Sequence, residues 1–286
     1  MSTTLNVQEI IDYYDHCQVD YEEFWHLNAR MCMHYGYWDE TTPNLIMALS
    51  NMNAKVAEFV NVQPGSVVLD AGCGVGGSSI FLATQHKCTT VGISLSNKQI
   101  EQCKENAQQH GLLNRSTFEC QNYLETSFPD NTFDVVWGIE SVCYAHDKID
   151  FLREAYRILK PGGRFIVADF FSNDVRSGTS DDELMKKWTH TWAINAYADV
   201  EEFWEKMATA GFADRKRKDV TKNVVKSIRR LYYLFYPGIV YMSAKYLLRR
   251  RTKQNLLNAW STFYQFHAYR RNLWRYMFFS GTKPLT

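Results

Sequence analysis

The 286 residues carry 32 Lys and Arg against 31 Asp and Glu, a formal charge of +1, with 45% apolar and 15% aromatic residues. That length and composition fit one large globular α/β domain, or one domain with a substantial insertion, and leave aromatic side chains over for a pocket. Seven cysteines with no C-x-x-C pair argue against a disulfide framework or a zinc site and predict reduced thiols in a cytoplasmic protein.

No secretory signal is read at the N-terminus, and no apolar run approaches the roughly 20 residues that span a bilayer, so a soluble protein or one peripheral to a membrane is expected. Charge is unevenly placed. Residues 212–286 hold 17 of the 32 basic residues and only two acids, Asp214 and Asp219, so this segment is +15 and the remainder −14. Either a basic face meets phosphate, anionic lipid or nucleic acid, or the two parts face each other across the fold.

Apolar residues at helical spacing predict helices over 7–18 and 21–33. A third helix is predicted to start at Thr42-Pro43, with proline in its first turn, and to run to residue 60. The period then shortens. Strands are predicted at 66–70, 89–93, 116–120, 133–138 and 164–168, with helices at 96–110 and 147–159 and a turn at Lys160-Pro-Gly-Gly163. Strand–helix alternation of this kind specifies a parallel sheet with helices on both faces. Helices at 181–196 and 199–210, a strand at 214–221, a helical, aromatic and basic stretch at 221–271 and a closing strand at 276–280 complete the reading. The implied organisation is an N-terminal helical lid (1–60), a core (61–221), a helical substrate cap (222–272) inserted before the last strand, and that strand (273–286).

Asp70-Ala-Gly-Cys-Gly-Val-Gly-Gly77 follows a strand and opens a helix. Its glycines let backbone approach a ligand closely, a feature that dinucleotide-binding loops share. Two details separate this loop from them. Asp70 sits where a pyrophosphate would be repelled and a cationic amino group welcomed, and the second strand ends Gly92-Ile-Ser-Leu-Ser96 without an acid for a ribose diol.

Residues 67–74 resemble motif one of the class I S-adenosylmethionine-dependent methyltransferases, and Leu159-Lys-Pro-Gly-Gly163 resembles their penultimate turn. Gly92-Ile-Ser-Leu-Ser-Asn-Lys-Gln99 and His34-Tyr-Gly-Tyr-Trp38 are similar to the sterol, tocopherol, prenyl-diphosphate and cyclopropane-lipid group. The resemblance implies a Rossmann-like seven-stranded sheet and S-adenosylmethionine as cofactor, with no metal in its site. It places Asp70, Gly72 and Gly74 at the methionine end, and Ser94, Leu95 and Gln99 around ribose and adenine. Asn122 would accept from the adenine amine, with Tyr123 and Ile139 beside the cofactor and Tyr35 covering its amino-acid end. Glu140 in Ile139-Glu-Ser141, followed by Tyr144 and His146, resembles the site of the C-methylating members; Glu140, Tyr35, Tyr144 and His146 are the catalytic candidates. There a carboxylate and aromatic faces stabilise a carbocation, and His146 or Glu140 removes its proton.

The expected acceptor is a hydrophobic isoprenoid or related lipid. Arg229, Arg230 and Arg249 to Arg251 would grip a diphosphate or an anionic membrane, or form a solvated face. The alternative is O- or N-methylation of a small aromatic compound. Nucleic acid is disfavoured, because the arginines alternate with large apolar residues and no Asn/Asp-Pro-Pro-Tyr motif is present. Self-association is left open.

Overall fold

The computed structural model describes residues 7–25, 27 and 31–285. In chain order the elements are α1 (Val7–Phe24), α2 (Leu45–Val60), β1 (Val67–Ala71), α3 (Gly77–Gln85), β2 (Thr89–Ser94), α4 (Asn97–Gln109), β3 (Ser116–Cys120) and β4 (Phe133–Ile139). There follow α5 (Lys148–Ile158), β5 (Leu159–Ser172), α6 (Ser180–Thr191), α7 (Val200–Thr209), β6 (Ala213–Asp219), α8 (Thr221–Leu247), α9 (Lys253–Arg270) and β7 (Trp274–Thr282).

The seven strands form one sheet in the order β3-β2-β1-β4-β5-β7-β6. Side-chain alternation along β5 sorts the core onto two faces. Ile166, Ala168 and Phe170 join Val68, Val135, Trp137 and Phe278 on the face packed by α2 and α8. Phe165, Val167 and Phe171 join Leu69, Val136, Phe203 and Phe279 on the face packed by α5 and α7. Burial on both sides explains why the central strands read as nearly continuous apolar runs.

The expected parallel sheet needs one correction. β7 runs antiparallel to both β5 and β6. After β6 the chain spends α8 and α9 above the carboxyl edge of the sheet, so β7 enters at that edge and runs back without a crossover. Four boundaries also differ. Asn44, not Thr42, caps α2, its side chain accepting from Met47 N–H at 2.9 Å, while the Thr42 hydroxyl donates to Asp39 at 2.6 Å. The turn at 160–163 is a bulge inside β5: Phe133 faces Leu159, but Val135 already faces Arg164. The helix expected to reach 196 stops at Thr191, because Ala193 takes a left-handed φ of 53°. Of the helix expected over 21–33, residues 21–24 are the end of α1, 31–33 are not helical, and 26 and 28–30 lie outside the described residues.

α1 and α9 meet through polar side chains. Asn255 and Asn258 donate to the Asp20 carboxylate at 3.0 and 3.1 Å, and the Tyr13 hydroxyl donates to Asn258 Oδ1 at 3.1 Å. Ser96, at the start of α4, donates to Asp15 of α1 at 2.8 Å. The N-terminal helix is thereby tied to both the glycine-loop side and the α8–α9 pair, and a roof forms over the sheet edge where open α/β folds bind ligands.

Candidate active site

β1 delivers Asp70 to the sheet edge, where it is 2% exposed and accepts from the Ser79 hydroxyl at 2.7 Å. Burial pushes its carboxyl up to about 6, against the opposing pull of Ser79. Gly72 has φ 84°, and a Cβ there would lie 2.4 Å from that of Ser141, so only glycine lets β1 and the end of β4 approach this closely. Beyond β2, Ser94 donates to Gln99 Oε1 at 2.7 Å, and Ser96 caps α4 by accepting from Gln99 N–H.

Asn122 already uses its side-chain oxygen to accept from Leu124 N–H at 3.0 Å, which leaves one further acceptor position on that atom. The Tyr123 hydroxyl is spent on the Ser141 carbonyl at 2.8 Å, so this residue contributes its ring rather than a free polar group.

Glu140 follows β4 in a left-handed conformation, φ 50°. One carboxylate oxygen accepts from Tyr35 N–H at 2.7 Å and from the Tyr276 hydroxyl at 2.8 Å. Burial drives its carboxyl well above the ordinary glutamate range; the two donors pull the other way and Asp169 adds to the rise. This carboxylate therefore does not cap the helix that follows, a duty taken by Asp147, which accepts from Ile149 N–H. Tyr35 is buried, its hydroxyl donating to Gln265 at 2.7 Å and its ring set against Trp25, Phe170 and Trp192.

Asp70, the glycine loop, the β2–α4 junction, Glu140 and Tyr35 border one cavity of about 320 Å³. It runs from Asp70, Gly72, Gly74, Ser94, Leu95, Gln99, Asn122 and Tyr123, past Ile139, Glu140, Tyr144 and Tyr35, to Phe235, Met242 and Asn258 on the α8–α9 pair. His146 also borders it but is exposed, so it stands at the rim rather than beside Glu140. Every residue expected around the cofactor or in catalysis thus touches the same space, whereas Arg229, Arg230 and Arg249 to Arg251 do not. Three that sequence reasoning missed also border it: Tyr14, Asp169 and Tyr197. Asp169 accepts from Cys143 N–H at 2.9 Å, and burial raises its carboxyl to about 6. Tyr276 was missed as well; its only signal was a place in the closing strand.

Among the described residues lining the cavity there is no lysine or arginine. Arg230 instead donates to the Phe24 carbonyl, and Arg251 pairs with Glu23 at 2.8 Å and Asp20 at 3.5 Å. No group of His, Cys, Asp and Glu among the described residues is arranged to hold a metal ion.

A profile described as a methyltransferase domain matches residues 69–167. The 27-O-demethylrifamycin SV methyltransferase of Amycolatopsis mediterranei is 30% identical over 190 residues, which cover 66% of this chain and 70% of that protein. The chain belongs to the S-adenosylmethionine-dependent methyltransferases. The chloroplastic tocopherol O-methyltransferase of Arabidopsis thaliana is 25% identical to this methyltransferase over 251 residues, 81% of this chain and 68% of the relative. The crystal structure of the [4+2]-cyclase SpnF shares its fold, with a TM-score of 0.79, 22% identity, and 100% and 99% of the two chains covered. The donor set fits the family's cofactor. A buried carboxyl stands beside a glycine loop that a Cβ would fill, and the end of β2 and the start of α4 bring Ser94 and Gln99, but no acid, to the same cavity.

Proposed function

We propose that this methyltransferase methylates carbon in a neutral hydrophobic acceptor of the isoprenoid or related lipid class. The observation that carries the reading is the acceptor end of the cavity, where Glu140 stands among aromatic rings and no described lining residue is cationic. A diphosphate there would lose its hydration without gaining an opposite charge. Names of relatives add support, since tocopherol is itself a greasy prenylated acceptor.

In this reading Asp70 holds the amino group of S-adenosylmethionine, the backbone of Gly72 and Gly74 follows its methionine end, and Ser94, Leu95, Gln99, Asn122, Tyr123 and Ile139 surround the nucleoside. Bound there, the cofactor would supply a methyl group on a positive sulfur, and that sulfur would keep the electron pair of the broken sulfur–methyl bond and become a neutral thioether. Tyr35 and the α8–α9 pair exclude water and hold the acceptor in line, and such positioning supplies much of the acceleration. An acceptor double bond gives its π pair to the methyl carbon and leaves the adjacent carbon positive. The ring faces of Tyr35, Tyr144, Phe170 and Trp192 and the Glu140 carboxylate stabilise that charge. Glu140 then takes the proton from the neighbouring carbon, whose C–H pair restores the double bond. His146 acts at the entrance.

A second reading is O-methylation, favoured by the names of the rifamycin and tocopherol relatives. It assigns Glu140 the proton of an acceptor hydroxyl. A labelled-methyl assay over paired substrates tests the acceptor class. Neutral prenylated quinols, sterols and polyprenes should be methylated, and each prenyl diphosphate should be a poorer substrate than its neutral counterpart. Preference for the diphosphates would overturn the proposal of a neutral acceptor.

A further inference from the structure

Helix α8 is apolar on two opposite sides, and only one of them serves the cavity. Leu231, Phe235, Gly238 and Met242 line the cavity at spacings of three and four residues. About half a turn away, at 100° per residue, Tyr233, Tyr236, Val240 and Leu247 form a second stripe. These four are 69%, 51%, 70% and 80% exposed, and Leu248 just beyond the helix is 67% exposed. From Tyr233 to Leu248 the stripe runs for about 22 Å. A row of exposed large apolar side chains of this length marks a place where something else binds.

The charges around the stripe say what that is. Arg229 flanks one end and Arg249 and Arg250 flank the other, all three exposed. Beyond Asp219 the sequence contains no acid at all. A second copy docked on this face would set one basic end against another with no carboxylate on α8 or α9 between them. An anionic surface meets no such penalty.

We propose that this face of α8 docks on an anionic lipid bilayer, its apolar stripe at the boundary of headgroups and acyl chains and its basic ends against lipid phosphates. The helix lies on the bilayer rather than through it, since no described helix is long and apolar enough to cross a membrane. Leu234 both lines the cavity and reaches the surface, so the docked helix is also the wall through which a lipid-borne acceptor approaches. This surface stands independently of which atom is methylated.

The test is co-sedimentation of the full chain with phosphatidylcholine vesicles prepared with and without phosphatidylserine. Binding is expected only with phosphatidylserine and should weaken as salt rises. Arg249→Ala with Arg250→Ala should weaken it roughly 30-fold, and Val240→Glu with Leu247→Glu at least about tenfold. Both variants should keep wild-type affinity for S-adenosylmethionine, which reports an intact fold. The proposal is overturned if the wild type does not bind such vesicles, or if either double variant binds them unchanged. It is overturned equally if light scattering shows a dimer that Val240→Glu with Leu247→Glu dissociates, which would give the face to a second copy.

Discussion

Glu140→Gln is expected to leave the fold and cofactor binding within a few-fold of wild type while turnover falls about 100-fold or more. The amide oxygen introduced by this substitution can accept from both Tyr35 N–H and the Tyr276 hydroxyl, so the two bonds that hold the side chain survive. What disappears is the ability to become an anion as positive charge grows on the acceptor, and that ability matters only in the transition state. The wild type should also lose activity as pH falls through the raised value of this carboxyl, because the protonated acid neither stabilises a cation nor accepts a proton. That limb of the pH profile should vanish in the variant. Steady-state kinetics between mildly acidic and alkaline pH measures both effects; unchanged turnover would remove Glu140 from the chemistry.

Asp70→Asn should weaken S-adenosylmethionine binding about 100-fold or more, because a buried ammonium would lose its charge partner, at a cost of about 3 kcal/mol. Calorimetry across pH adds a signature that a structural role would not give. The Asp70 carboxyl ionises at about 6, so wild-type affinity should fall by about tenfold for each pH unit below that value, and the variant should not show the slope. The sign for stability is opposite. A carboxyl whose folded value is raised leaves the unliganded protein at full stability below its ordinary value of about 4 and weakens it as pH rises through about 6. Asp169, also raised to about 6, acts in the same direction. Cofactor binding relieves the Asp70 share by providing a positive partner.

The sequence made local features readable and left distant contacts hidden. β1, the glycine loop and α4 were legible because strand period, a glycine cluster and a serine cap are neighbours in the chain. The reversal of β7 was not, since a short run of buried, mostly apolar residues looks the same in either direction. Glu140 was singled out by its position beyond β4. Its partners Tyr35 and Tyr276 lie 105 and 136 residues away, and only folding of the sheet and roof brings them together. The arginines show the converse error. In the sequence Arg230 and Arg251 could meet a diphosphate, a membrane or solvent, yet in the fold Arg230 serves a helix-end carbonyl and Arg251 serves the carboxylates of α1. Composition identifies how many cations a segment holds, but not which of them face a cavity.

The most direct test of the central claim is where the methyl group arrives. Acceptors from the neutral prenylated series should be incubated with carbon-13 methyl-labelled S-adenosylmethionine and the products examined by NMR. The proposed chemistry predicts a methyl resonance at a carbon-bound shift, correlated through two and three bonds to skeletal carbons, with one hydrogen lost from the carbon beside the new centre. A labelled methyl at an oxygen-bound shift, with the acceptor's carbon skeleton unchanged, would contradict it and assign the enzyme to O-methylation.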